Sequence, residues 1–307
     1  MKKVLFVDEK QYRFSFYYEP EKWWIINGIK PYFKAYEKRK DKWFIYLWLI
    51  LNRPHSVVFV QLSLKNLILA RMSNILGVKT VFWQHGVFGY DKQIIDKYSK
   101  IKASLNYLLC FSEYDANKIS LYFRYVKNLQ LIHHYETAKI LASEKIDKSI
   151  FYIGQILTKE QIKGSSAKFP YDEQCETILN NLWEYLSKQD YNVFLKKHPG
   201  DKSEYLEHLC VIYPNFFMIE KHIIPTIVIG HYSTLVIPYL QLEIPFLQIH
   251  HEMNKFIDFS NYSKNQKLII KYNENSIDNI FQQKRNDRLN ENKKNSPSIS
   301  EIIKSLV

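Results

Sequence analysis

Glycine is scarce, with 8 residues in 307, while Tyr, Phe and Trp make up 16% of the chain. Collagen-like and low-complexity architectures are thereby excluded, and 46% hydrophobic residues supply enough apolar side chain for a sizeable core. The cysteines number three, Cys110, Cys175 and Cys210, isolated and without a CxxC pair. Neither a disulfide framework nor a zinc module is expected from them, and a reducing, cytoplasmic setting fits. No apolar run approaches the ~20 residues that a membrane-spanning helix needs. Val4–Val7 is also too short for a signal-peptide core and meets Asp8 and Glu9 at once, so it reads as a first β-strand and export is not expected.

Acid is in short supply too: 31 Asp and Glu stand against 43 Lys and Arg, a formal charge of +12. Such an excess favours an anionic partner, whether nucleic acid, an acidic membrane surface or a phosphorylated small molecule. Zinc spacing, RNP-type aromatic motifs and dense Arg stripes are missing, and the positive charge is mostly dispersed Lys, so nucleic acid is not expected. The run Lys38-Arg39-Lys40-Asp41-Lys42 leads into Trp43–Leu51. Basic residues beside Trp and Leu suit peripheral contact with an anionic membrane through Lys38 to Leu51, at the inner face of the cell membrane; a buried core helix with a charged entry reads equally well.

Short apolar runs recur at Val4–Val7, Val57–Gln61, Thr80–Trp83, Tyr107–Phe111 and Leu129–Ile132, with helix-like stretches at Leu64–Leu76 and Asp115–Tyr125. Strands alternating with helices imply βαβ units and parallel pairing. After the polar stretch Ser143–Lys148 the alternation restarts, with strands expected at Ile150–Ile153, Val193–Lys196, Phe216–Ile219, Ile227–Ile229 and Phe246–Ile249 and a helix at Glu173–Ser187. The expected organisation is one α/β domain over residues 1–143, a second over 149–281, and a polar tail with a closing helix over 282–307. In open α/β sheets ligands gather at the carboxyl ends of strands, and in a two-domain arrangement those ends can face one another across a central cleft.

Lys197-His198-Pro199-Gly200 follows such a strand, and Pro and Gly force the chain to turn there. A cation and an imidazole at a strand end can neutralise a phosphate, and a protonated His can hydrogen-bond or protonate a departing phosphate oxygen. Gly230-His231-Tyr232-Ser233-Thr234 leads from a second strand into an apolar helix over Leu235–Leu240, where hydroxyls and backbone N–H groups at a helix start can cradle a phosphate. An ordinary Ser/Thr cap is the simpler reading of that pattern taken alone. In Ile153-Gly154-Gln155 a glycine after the strand permits close backbone approach to a nucleotide. In the first half, Gln84-His85-Gly86 ends a strand and Asp91 follows shortly after. A neutral His85 can accept a hydroxyl proton near pH 7, and Asp91 competes for the role of base or nucleophile. Asp8 and Glu113 are further strand-end carboxylates that could reach a ligand site, although a solvated acidic pair reads equally well for Asp8 and a charge favouring the helix dipole for Glu113. The adjacent pairs His133-His134 and His250-His251 lack the spacing of metal ligands, so no metal or other cofactor is expected.

These motifs resemble those of bacterial GT-B glycosyltransferases that use CMP-activated acidic sugars: the sialyltransferase and polysialyltransferase families and the capsule Kdo transferases. His198-Pro199 matches the first of their donor motifs and Ser233-Thr234 the second. The resemblance implies a GT-B fold of two doubly wound Rossmann-like domains, with the first presenting a glycan or lipid-linked glycan acceptor and the second holding the nucleotide-sugar donor. It implies a donor site of Gly154, Gln155, Lys197, His198, Pro199, His231, Ser233 and Thr234. It further implies that His198 contacts the donor phosphate and serves as the acid for the CMP leaving group. The acidic tripeptide that supplies the base in the sialyltransferases is missing. Gln84-His85-Gly86 instead looks like a segment of the capsule Kdo transferases and of the polyol-phosphate transferases of teichoic-acid and capsule synthesis. Transfer of a sialic-acid-like or Kdo sugar to capsule or lipopolysaccharide is therefore the leading expectation. A CDP-polyol phosphotransferase and a non-catalytic nucleotide-sugar-binding subunit are its rivals.

Overall fold

The computed structural model describes residues 1–8, 25–35, 41–84, 86, 92–134, 136–155, 173–201, 203–249, 259–263 and 269–272. The chain divides into two compact units, the first running from Met1 to Tyr135 and the second beginning at Glu136. In the first, the elements are β1 (Lys2–Asp8), β2 (Ile29–Ala35), α1 (Asp41–Asn52), β3 (Ser56–Phe59), α2 (Leu64–Ile75), β4 (Lys79–Trp83), α3 (Lys92–Ser99), β5 (Leu105–Cys110), α4 (Glu113–Ser120) and β6 (Val126–Leu131). The strands form a parallel sheet in the order β2-β1-β3-β4-β5-β6. Strands such as β3, buried at each of its positions, need cover on both faces, and helices connecting parallel strands supply it.

Local chemistry sets the helix limits. Ser63 caps α2 by accepting the Asn66 N–H, and Gly77, at φ 71°, takes the left-handed turn that lets the chain re-enter as β4. Ser112 caps α4 by accepting the Asp115 N–H at 3.1 Å and returns a hydroxyl bond to the Asp115 carboxylate. Helix and sheet close over a core that includes Leu5, Leu49, Phe59, Leu67, Phe82 and Leu108.

The second unit contains α5 (Thr137–Leu141), β7 (Ser149–Ile153), α6 (Glu173–Ser187), β8 (Asn192–Lys196), α7 (Tyr205–Ile212), β9 (Phe216–Met218), β10 (Ile227–Gly230), α8 (Val236–Gln241), β11 (Phe246–Ile249), a 3-10 turn (Phe259–Tyr262) and β12 (Ile269–Tyr272). Its parallel sheet has the order β12-β11-β10-β7-β8-β9. The core centres on Tyr152, Trp183, Leu195 and Leu206, with the Tyr152 and Trp183 rings edge to face at 4.8 Å. The division at Tyr135 and Glu136 lies upstream of the polar stretch at Ser143–Lys148, because α5 is fastened to the second unit. The Thr137 hydroxyl bonds Gln241 on α8 at 3.3 Å, and the Glu136 carboxylate meets His222 at 3.0 Å. The tail over 282–307 lies outside the described residues.

Candidate functional site

In the second sheet the chain runs from β7 to β8 and β9 on one side and then returns to β10 on the other. That reversal makes a topological switch point between β7 and β10, the place where doubly wound sheets bind ligands beyond their carboxyl ends. The segments that emerge there from β8, β7 and β10, three adjacent strands, are Lys197–Asp201, Gly154-Gln155 and His231–Thr234. The sequence motifs, separated by up to 80 positions, thus share one end of one sheet.

Gly154 and His198 are brought together directly. The Gly154 N–H bonds the Lys196 carbonyl at 2.8 Å, and a Cβ at Gly154 would lie 2.6 Å from that carbonyl and 3.2 Å from the His198 nitrogen. Only glycine lets the ends of β7 and β8 approach so closely. Gln155, next to it, is buried. The His198 Nδ1 accepts the Gly200 N–H at 3.0 Å, across the turn that Pro199 and Gly200 make. Burial pushes the His198 pKa down, and nearby Asp201 opposes this without overcoming it. The imidazole is therefore neutral near pH 7, with Nδ1 as acceptor and the proton on Nε2. In this state His198 offers an Nε2–H hydrogen-bond donor rather than the positive charge of a preformed acid.

Lys197 is turned away onto α7. Its ammonium bonds the Ser203 carbonyl and pairs with Glu207 at 2.7 Å. Strand alternation sends its neighbour Lys196 to the opposite side, where its ammonium meets the Glu220 carbonyl. Asp201, whose position in the turn gave no role from sequence, is buried and accepts both the Ser203 N–H at 2.9 Å and the Ser203 hydroxyl at 2.7 Å. This Asx turn fixes the path from His198 into α7; the Asp-x-Ser spacing was its signal.

After β10, Ser233 and Thr234 are half-buried in the turn before α8. The Ser233 hydroxyl accepts the Leu235 N–H at 3.3 Å and its carbonyl accepts the Val236 N–H at 3.1 Å. Both residues precede a helix of only 6 residues, so a serine turn rather than a long helix dipole shapes this corner. His231 lies beneath it, fully buried, with Nε2 3.1 Å from the Tyr152 hydroxyl and its carbonyl accepting from Gln248 at 3.5 Å. Tyr152 was not singled out in the sequence, since a tyrosine inside an apolar strand looks like core. Its ring is core, and its hydroxyl ties β7 to the β10 turn.

In the first unit Asp8 ends β1, beside β3, where the strand order also reverses. Gln84 is buried after β4: its amide nitrogen donates to the Gly86 carbonyl at 2.9 Å, and its amide oxygen accepts the Phe111 N–H at 2.9 Å. It fastens the ends of β4 and β5 together. Glu113 is exposed in the first turn of α4, where its charge favours the helix dipole. His85 and Asp91 lie outside the described residues. Among the described residues no group of three or more His, Cys, Asp or Glu is placed to hold a metal ion, and no helix is long and apolar enough to cross a membrane.

Two tandem units, each a six-stranded, doubly wound parallel sheet, place the chain in the GT-B class of α/β fold. No family model and no curated protein matches the sequence. Among solved structures, UDP-GlcNAc 2-epimerase from Methanocaldococcus jannaschii, in complex with UDP-GlcNAc and UDP, is similar with a TM-score of 0.57 and 12% identity, covering 100% of this chain and 99% of that one. A second structure of that epimerase gives 0.51 at 11% identity, with coverage of 100% and 99%. A glycosyltransferase from Rickettsia africae gives 0.50 at 11% identity, covering 99% of this chain and 93% of that one. At these identities the likeness establishes the fold.

Proposed function

We propose that the chain is a glycosyltransferase that moves an acidic sugar, of the sialic-acid or Kdo type, from a CMP-activated donor to a bacterial surface glycan. The observation that carries this reading is the Gly200 N–H on His198 Nδ1, which leaves Nε2 as the donor at the end of β8, beside the glycine that closes β7 onto it. As the bond from sugar to phosphate breaks, negative charge grows on the phosphate of departing CMP. A preorganised donor there stabilises that charge, and the approaching anion draws a proton onto the imidazole. The Ser233 and Thr234 hydroxyls past the end of β10, on the other side of β7, suit the same phosphate. Lys197 is already paired with Glu207, so the described residues of this turn offer hydrogen-bond donors more than unpaired positive charge. That matches the one phosphate of CMP better than the two of a nucleoside diphosphate. For the acceptor side we retain His85 as the base, with Asp91 as its competitor; Gln84 and Gly86, which flank His85 in sequence, are tied to each other.

Thermal unfolding of the full chain with CMP, CDP, UDP or GDP tests the reading. A ligand at 100 times its Kd adds about 2.7 kcal/mol to stability, and CMP should give the largest upward shift. His198→Gln should lose that shift while the ligand-free midpoint stays close to the parent's. Preference for UDP would overturn the CMP assignment, and silence to all four would overturn nucleotide-sugar use. A CDP-polyol phosphotransferase also expels CMP, so turnover of a CDP-polyol to a phosphodiester-linked product would make the chain a polyol phosphotransferase. CMP binding without turnover of any CMP-sugar would make it a binding subunit.

A further inference from the structure

The helix α1 is apolar on the wrong side for a surface helix of a soluble domain. Its inward face carries Ile45, Tyr46 and Leu49, all buried, with the Tyr46 hydroxyl bonded to the Lys65 carbonyl at 3.0 Å and Trp48 tilted against Tyr32 at 4.8 Å. The helix is thus firmly seated on the first unit. Its outward positions are Trp43, Phe44, Leu47, Ile50 and Leu51, between 44% and 73% exposed. Their spacing of i, i+1, i+4, i+7 and i+8 gathers them into one stripe roughly 120° wide, where a helix facing water would carry charged and polar groups. Five large apolar side chains in one exposed stripe mark a surface built to be covered.

The charges around the stripe say by what. Within α1 the acid is Asp41, while Lys42 sits 5.3 Å over the Trp43 ring, Lys30 lies 5.6 Å over Tyr32, the ring that packs on Trp48, and Arg53 is exposed just past the last turn. In sequence, Lys38-Arg39-Lys40 immediately precedes the helix. Base at both ends disfavours pairing with a second copy, because parallel and antiparallel arrangements alike bring cation against cation. An anionic lipid surface neutralises both ends at once. With 12 residues the helix is about 18 Å long at 1.5 Å per residue, short of the ~30 Å hydrocarbon core, so it must lie along the surface.

We propose that α1 is an interfacial anchor: the Trp43–Leu51 stripe enters the headgroup layer of an anionic bilayer, with Lys42, Lys30 and Arg53 on lipid phosphates. This goes beyond the donor chemistry and stands without it. Sedimentation of the full chain with vesicles tests it, using phosphatidylcholine alone and an equimolar mixture with phosphatidylglycerol. The chain should bind the mixed vesicles, weaken in raised sodium chloride, and bind the neutral vesicles far less. Replacing Phe44, Leu47 and Leu51 together by Gln should weaken binding about a hundredfold or more, because the buried apolar area is lost. The same variant should melt as the parent does, since those side chains face outward. Lys42→Glu should weaken binding about tenfold. Failure of the parent to bind mixed vesicles, or equal binding by the triple variant, overturns the proposal. So does a parent that is dimeric in solution and becomes monomeric in the triple variant, which would make the stripe an interface between copies.

Discussion

Replacing Gly154 by Ala puts a methyl group where the end of β7 meets the end of β8. The added carbon would lie 2.6 Å from the Lys196 carbonyl oxygen, 3.2 Å from the His198 nitrogen and 3.5 Å from Leu206 Cδ1. The first two are main-chain atoms, so no side-chain rotation relieves the overlap and the two strand ends must part. Overpacking of this kind costs about 1–3 kcal/mol. Strain on the hydrogen bond from the Gly154 N–H to the Lys196 carbonyl adds about 1 kcal/mol. A total of roughly 2–4 kcal/mol lowers the thermal midpoint of the second unit by roughly 5–15 °C. His198 rides on the displaced segment, so CMP affinity should fall as well. Gly230→Ala is the control: its Cβ would meet Ile153 and Phe246 no closer than 3.5 Å, an ordinary contact, and the change should be within about 1 kcal/mol of the parent. Calorimetric melting and CMP titration of both variants decide the matter. If Gly154→Ala melts with the parent, or if both variants fall by the same amount, the close approach of β7 and β8 is not what that glycine secures.

Two further perturbations probe the second unit. Burial pushes the Glu136 carboxyl up, but hydrogen bonds from His222 and Lys139 and their charges outweigh it and hold the pKa at about 2, against 4.5 for the free group. A carboxyl depressed in the folded state contributes stability above its unfolded pKa and loses it as pH falls through the folded one; a shift of this size is worth about 3 kcal/mol. Glu136→Gln should therefore flatten the acid limb between pH 4.5 and about 2 in urea unfolding, and a variant that keeps the parent's limb would show that the pair contributes no stability. Tyr152→Phe keeps the ring against Trp183 but removes the hydroxyl bonded to buried His231, and should cost about 1–3 kcal/mol. A parent-like melting curve and unchanged CMP affinity would remove Tyr152 from its place beneath the β10 turn.

The alternation of apolar runs with helical stretches was enough to read two α/β halves, and the strands at Ile150–Ile153 and Val193–Lys196 and the helix at Glu173–Ser187 fall where expected. β2 was not legible because Lys30, Pro31 and Lys34 interrupt its apolar pattern. It lies at the edge of its sheet, where a proline and exposed lysines are tolerated. For α1, an apolar helix entered through basic residues reads alike whether it is buried or interfacial. Its amino acids do not reveal which side is already packed; the exposure of Trp43, Phe44 and Leu51 does.

What the sequence determined by itself was the parallel, doubly covered character of the sheets and the setting of Lys197-His198-Pro199 and Ser233-Thr234 just past strands. Both depend on residues close together in the chain, whose faces and turns are fixed by local periodicity. Only the tertiary structure decided that β8, β7 and β10 lie side by side, and that Lys197 spends its charge on Glu207. It likewise decided that His198 is neutral with its proton on Nε2, and that the Tyr152 hydroxyl reaches His231 across 79 positions. Strand order, burial and long-range hydrogen bonds belong to the packed chain as a whole, and no single segment encodes which neighbour it will meet.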